Sequence, residues 1–133
     1  ACSNIHYLGQ YKSPVDLPML YSSVDIVWAC YPPIDANNWN LRWGRPNRFY
    51  ESCYFGIPCI ARDGSLFASD VKKLSLGHVI SSSDVDFVAQ ELSALSKDDI
   101  QSYANSVRLL PRTFYTYGDE VQLLKSKLDH LLD

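Results

Sequence analysis

Arg42-Trp43-Gly44-Arg45-Pro46-Asn47-Arg48-Phe49-Tyr50-Glu51-Ser52-Cys53-Tyr54-Phe55-Gly56-Ile57-Pro58-Cys59-Ile60-Ala61 spells a loop, a short helix and a buried strand. Pro46 suits the first helical position, and Gly56 followed by Pro58 is a stop signal. Within the helix Phe49, Tyr50, Cys53 and Tyr54 form one apolar stripe, whereas Asn47, Arg48 and Glu51 fall together on another side. One face is set to pack and the other is free to bind.

Arg42, Arg45 and Arg48 crowd toward the start of this helix with no acid between Ala36 and Tyr50. The positive end of the helix dipole disfavours cations there, so a negative group should balance them. Open backbone N–H groups, the dipole and guanidinium donors together make a phosphate site, and Glu51 one turn further in is placed to accept hydrogen bonds from a sugar diol. The plainer alternative is a solvated basic loop in which Glu51 pairs with Arg48 at helical spacing. Residue types and spacing fit both.

Outward from that stretch, the 133 residues make one domain of ordinary size, 47% hydrophobic and 20% charged, the balance of a globular chain. A net charge of −3 argues against a general nucleic-acid or membrane-surface binder, so the arginine cluster is a local feature. Cys2, Cys30, Cys53 and Cys59 contain no CxxC pair and have no histidines at ligand spacing, which supports neither a metal site nor a redox motif. Three of them fall in or beside apolar elements, as reduced thiols of a cytoplasmic protein do, with a Cys53–Cys59 disulfide as the minor alternative. No run approaches the ~20 apolar residues of a membrane span, so any membrane association is expected to be peripheral.

Ile5-His6-Tyr7-Leu8, ended by Gly9, is expected to be a first strand leading into the loop Gln10-Tyr11-Lys12-Ser13. Val15 to Ser23 follows as a helix with Val15, Met19 and Leu20 inward, Pro18 in its first turn, and Ser13 or Asp16 near its cap. Asp25 to Cys30 is a second strand, apolar enough for burial on both faces with Trp28 in the core. A long irregular loop from Tyr31 to Gly44 carries Trp39 and Trp43, and loops of this length are usually functional. Past the central stretch come a strand at Pro58 to Ala61, a helix at Leu66 to Leu74 and a strand at Gly77 to Ile80. Asp84 caps a helix through Leu95, and Ser96 with Asp99 starts another carrying Ile100, Ala104 and Val107, ended by Pro111. A final helix shows a single stripe of Val121, Leu124, Leu128 and Leu131. Strands alternating with helices imply a Rossmann-like three-layer α/β/α domain with a mainly parallel sheet of about four strands and a helical C-terminal end. Ligands of such sheets bind beyond the carboxyl ends of the strands, where the loops after Leu8, Cys30 and Ala61 would lie.

The succession IHYLGQY, LPMLYSSVDIVWACYPP, PNRFYESCYFGIPCIARDGS and GHVI resembles the C-terminal, donor-binding domain of GT-B fold glycosyltransferases, especially the large retaining group that uses nucleotide sugars. That family runs through a strand ending in glycine, a helix with a leucine-tyrosine pair, a strand with Asp-Val or Asp-Ile, and a Pro-Asn-Lys-like helix with a central Glu before Gly-x-Pro. The likeness covers roughly Asn4 to Ile80, and the trailing helices agree in pattern alone. It implies that Glu51 accepts hydrogen bonds from the donor ribose, and that the amides of Asn47, Arg48 and Phe49 face the diphosphate. It also sets Gly9, Gln10 and Tyr11 against the nucleotide base, and matches Tyr31, Pro32 and Pro33 to the loop after the next strand. Arg48, with Arg45 beside it, would stabilise the departing diphosphate. No metal and no cofactor is implied.

Two departures matter. Many members carry a second glutamate eight residues before the one matching Glu51, and here that residue is Trp43. Their donor domain also opens with two more strand-helix units, and a separate N-terminal domain holds the acceptor. The chain is thus expected to be part of a two-domain enzyme, inactive alone, acting from a nucleoside diphosphate sugar on an acceptor saccharide or glycolipid. In the family's strand order the two extra strands fall between Ile5–Leu8 and Asp25–Cys30, so the gap must close by direct pairing or be filled by a second copy, giving a homodimer through an exposed sheet edge. A non-catalytic interaction module built on its aromatic loops is the alternative. A response-regulator-like domain would need an acidic pocket after the first strand, which Gly9-Gln10-Tyr11 does not supply.

Overall fold

The computed structural model describes residues Asn4–Tyr31 and Trp39–Leu132. Its elements run α1 (Leu17–Ser22), β1 (Val27–Trp28), α2 (Trp39–Trp43), α3 (Asn47–Phe55), β2 (Cys59–Arg62), α4 (Leu66–Leu74), β3 (Gly77–Ile80), α5 (Val85–Ser93), α6 (Lys97–Arg108), a 3-10 turn (Arg112–Phe114) and α7 (Glu120–Leu132). The three strands form one all-parallel sheet in the order β1-β2-β3. Helices cross between successive strands, as parallel pairing requires, and the fold is α/β and Rossmann-like.

Local signals set most of these boundaries. Pro46 sits at the N-cap of α3 rather than inside it, and Gly56 closes the helix in the left-handed conformation at φ 73°. Ser65 caps α4 by accepting from the Ala68 amide, and Asp84 caps α5 from the Phe87 amide. Ser96 and Asp99 make a complete capping box on α6; the hydrogen bonds from Ser96 hold the Asp99 carboxyl below its ordinary range. Pro18 falls in the first turn of α1, where its missing N–H is harmless.

β2 is the buried centre of the sheet, with Cys59, Ile60 and Ala61 all inside. α4 packs across β2 and β3, and α6 touches β3. Phe49 of α3 lies at the middle of the core, wholly buried, in ring contact with Phe67 at 5.7 Å and Phe114 at 6.1 Å. These rings meet tilted or edge-on, the arrangements aromatic quadrupoles favour.

Several expectations are corrected. Among the described residues the sheet has three strands, because Ile5 to Leu8 forms none: Ile5, Tyr7 and Leu8 are exposed and make no ladder with β1. A strand needs a neighbour to satisfy its backbone, and direct pairing across the gap does not occur. Trp28 is 46% exposed rather than core, since β1 is an edge strand with one flank uncovered. α1 buries Leu17 and Tyr21, not Val15 and Met19. The loop before α3 contains the short helix α2. The stripe Val121, Leu124, Leu128 and Leu131 exists on α7 but faces solvent.

Cys30, Cys53 and Cys59 are free thiols, which disposes of a Cys53–Cys59 bridge. Burial pushes all three up from the ordinary 9.0, Cys30 and Cys53 to about 11 and Cys59 to about 12. Since the thiolate is the nucleophile, Cys53 and Cys59 are expected to resist iodoacetamide in the folded protein and to react in guanidinium, as read by site-resolved mass spectrometry. Rapid native alkylation of Cys59 would contradict this environment. The linkage runs in one direction: a raised folded value gives stability that is complete below pH 9 and declines as pH climbs toward 11 to 12.

Candidate functional site

α3 projects its polar side chains from a fixed base, because Phe49, Ser52 and Cys53 anchor its other face in the core. Glu51 is half-buried, and its Oε2 accepts a 2.8 Å hydrogen bond from the Tyr21 hydroxyl of α1. Tyr21 also stacks on Phe55 at 4.8 Å and 16°, so α1 and α3 clamp the tyrosine in place. Burial first, then the neighbouring Glu51 carboxylate, push the Tyr21 phenol above its ordinary value, so it remains a donor. Among the described residues Arg48 makes no ion pair. The Arg48–Glu51 pairing allowed by helical spacing does not form, because tyrosine holds the carboxylate instead.

Arg48, Glu51, Tyr11 and Leu8 line one cleft of about 320 Å³, walled by Tyr21, Val27 and Trp28. The cleft runs along the open flank of β1, between that edge and the α1–α3 pair, not only beyond the carboxyl ends of the strands. Asn47 is exposed at the start of α3. Pro46 offers no side-chain cap, and the opening N–H groups of any helix lack partners within it.

The other proposed contacts lie elsewhere. Tyr31 and Arg45 line a second cleft of about 210 Å³ with Asn40, Gly44 and Phe67. Arg45 is engaged by Asp70 of α4, donating from Nε at 3.0 Å and Nη2 at 2.7 Å to one carboxylate oxygen, and these bonds raise the guanidinium above its ordinary range. Arg42 lies over the Trp43 ring at 5.5 Å. Two of the three clustered arginines thus find local partners, and the one aimed into a cleft beside a carboxylate is Arg48. Phe49 is a correction: its ring is buried in the core and its amide donates to the Pro46 carbonyl at 2.9 Å, so it supports the site from behind. Gly9, at φ 88°, and Gln10 are exposed between Leu8 and Tyr11. Pro32 and Pro33 lie outside the described residues.

Two residues important to the geometry had no assigned role in the sequence. Tyr21 stood within the leucine-tyrosine pair of α1, and its position four residues after Leu17 marks it as inward. Arg62 donates to the Tyr31 carbonyl at 2.9 Å and to the Ser82 carbonyl at 3.0 Å, tying the loops after β1 and β3 together at the strand ends. No grouping of three or more metal-ligating side chains occurs among the described residues.

The chain is similar to the succinoglycan biosynthesis protein ExoL of Rhizobium meliloti (strain 1021), with 32% identity over 110 residues that make up 81% of this chain and 26% of that protein. It therefore spans about a quarter of the length of this relative. No protein-family model matches the chain, and no solved structure does.

Proposed function

We propose that the chain is the nucleotide-sugar-binding part of a glycosyltransferase that moves a sugar from a nucleoside diphosphate donor to a hydroxyl acceptor in polysaccharide or glycoconjugate synthesis. The observation that carries this is the pairing of Arg48 and Glu51 on one cleft, one turn apart on α3, with Glu51 oriented by Tyr21. A cation and open amides suit a diphosphate, and a carboxylate suits a ribose diol. The similarity to a protein named for succinoglycan biosynthesis supports a glycosyltransferase relationship, and the GT-B donor-domain resemblance supplies the finer assignment.

In the reaction the bond from the anomeric carbon to the phosphate oxygen breaks and a bond to the acceptor oxygen forms. The diphosphate leaves with the electron pair, stabilised by Arg48 and the amides of Asn47 and Arg48, and the acceptor proton passes to a departing phosphate oxygen or to water. The acceptor, a saccharide or glycolipid, is held by a further domain, and the parent enzyme works in the cytoplasm at or near the membrane.

Titration of the protein with UDP, GDP and ADP, followed by NMR or calorimetry, tests the site. One nucleotide should bind, with Arg48→Ala and Glu51→Ala each weakening it roughly tenfold or more, as expected for lost charge-assisted hydrogen bonds. No binding at millimolar concentration, or affinities untouched by both substitutions, would remove the assignment.

One observation favours a second possibility, a non-catalytic interaction module. Trp39 and Trp43, stacked at 6.3 Å, and the α7 stripe are exposed apolar surfaces of the kind partners cover. A folded protein that binds no nucleotide but captures a partner through these surfaces would establish it.

A further inference from the structure

We propose that the aromatic groove on the other side of Glu51 is a saccharide-binding site that takes neutral pyranose rings. The groove, about 460 Å³, is formed where three separate parts of the chain converge: Pro14 and Pro18 around the start of α1, Tyr50 and Tyr54 on α3, and Tyr115 after the 3-10 turn. Its volume is that of an ordinary small-molecule site, which runs from roughly 300 to 1,000 Å³.

The chemistry of the lining selects the ligand class. Among the described residues no lysine or arginine lines the groove, and Arg45, which lies against Tyr50, is held by Asp70, an arrangement that disfavours phosphates, nucleotides and acidic polymers. Its charged member is Glu51, which has only acceptor capacity when ionised; one hydrogen bond from Tyr21 to Oε2 leaves the carboxylate further lone pairs for hydroxyl donors. Tyr50, Tyr54, Phe55 and Tyr115 make the lining largely aromatic. Tyr54 stands perpendicular to Phe55 (5.0 Å, 81°) and to Tyr115 (6.2 Å, 89°), yet remains 54% exposed. The axial C–H bonds of a pyranose carry partial positive charge and lie well against the negative face of such a ring. Vicinal hydroxyls at the ring edge then reach the carboxylate. An uncharged, polyhydroxylated, partly apolar ligand meets all three conditions, and a purely apolar one would offer the carboxylate no donor.

Glu51 lines both this groove and the cleft that holds Arg48. The groove would therefore hold a glycan close to the proposed donor site, which extends the glycosyltransferase reading but does not depend on a nucleotide being bound.

Saturation-transfer NMR of the full chain with cellotetraose, maltotetraose and a galactooligosaccharide tests the proposal. At least one should show transfer to its ring C–H protons, with shifts at Tyr54 and Tyr115, and Tyr54→Ala should weaken binding roughly three- to tenfold, the range of one lost stacking contact. Tyr54 is half-exposed, so its alanine variant should stay folded and melt only a few degrees below the wild type, the cost of its lost ring contacts. Tyr115→Leu, which preserves apolar volume, should weaken binding by a similar factor. Absence of transfer at tens of millimolar sugar would overturn the site, as would binding unchanged in both variants. The two proposals fail separately: a saccharide response without a nucleotide response leaves the groove standing, and the converse removes the groove alone.

Discussion

Gly77→Ala is expected to unfold much of the sheet's far half, lowering stability by about 3 kcal/mol or more. Gly77 opens β3 and lies opposite Cys59 in the central strand. A Cβ at this position would overlap the Cys59 carbonyl oxygen and stand 2.8 Å from both the carbonyl carbon and the amide nitrogen of the same residue. All three atoms are backbone, so no side-chain rotation relieves the clash. The strands must separate, and with them go the Cys59–Leu76 hydrogen bond at 3.2 Å and the packing of α4 across both strands. For a domain of this size the melting temperature should fall by roughly 10 °C or more. Gly9→Ala is the matched control: its φ of 88° makes alanine strained, but nothing lies within 4 Å of the added carbon. It should cost no more than about 1 to 2 kcal/mol. Circular-dichroism melts of both variants decide the matter, and a Gly77→Ala protein melting within 2 °C of the parent would show that β2 and β3 tolerate a wider spacing.

What was legible in the sequence follows the range of the interactions involved. α3, α4, α6, β2 and β3 were readable because their limits are written within a few residues: Pro46 and Gly56, Ser65, the Ser96–Asp99 box, and apolar runs between turn residues. What failed depended on partners far along the chain. Ile5 to Leu8 has strand composition, but composition does not create a neighbour, and here it remains exposed. Trp28 belongs to a strand whose residues look doubly buried, yet an edge strand keeps one flank open. The candidate site divides in the same way. That Arg48 and Glu51 share a helix face is local information, and both do line one cleft. That Arg45 would be engaged by Asp70, 25 residues later, and Glu51 by Tyr21, 30 residues earlier, is not written near either residue. The arginine cluster therefore overstated the charge available for a ligand, because two of its members already have company.

Phe49→Ala is expected to cost about 3 to 5 kcal/mol, the usual range for removing a fully buried phenylalanine. The ring is 0% exposed and touches Tyr50, Phe67 and Phe114, which come from its own helix, from α4 and from the segment leading to the C-terminal helix. Its loss leaves a void between elements that nothing else joins so directly, and rigid secondary structure collapses only partly into such a space. Phe49→Leu, which refills most of the volume, should cost much less, roughly 1 to 1.5 kcal/mol. The residue also separates two explanations of lost function. Phe49 lies between Arg48 and Glu51 in sequence but reaches no ligand, so its effect on nucleotide binding must pass through folding. Binding by Phe49→Ala should fall in proportion to the unfolded fraction and recover on cooling or in Phe49→Leu. Glu51→Ala leaves the Tyr21 hydroxyl without its acceptor and should cost only about 1 kcal/mol, with binding weakened about tenfold or more at every temperature, cold included. If Phe49→Ala melts like the parent while its affinity drops, the ring must instead be shaping the cleft directly, and the core position assigned to it would be wrong.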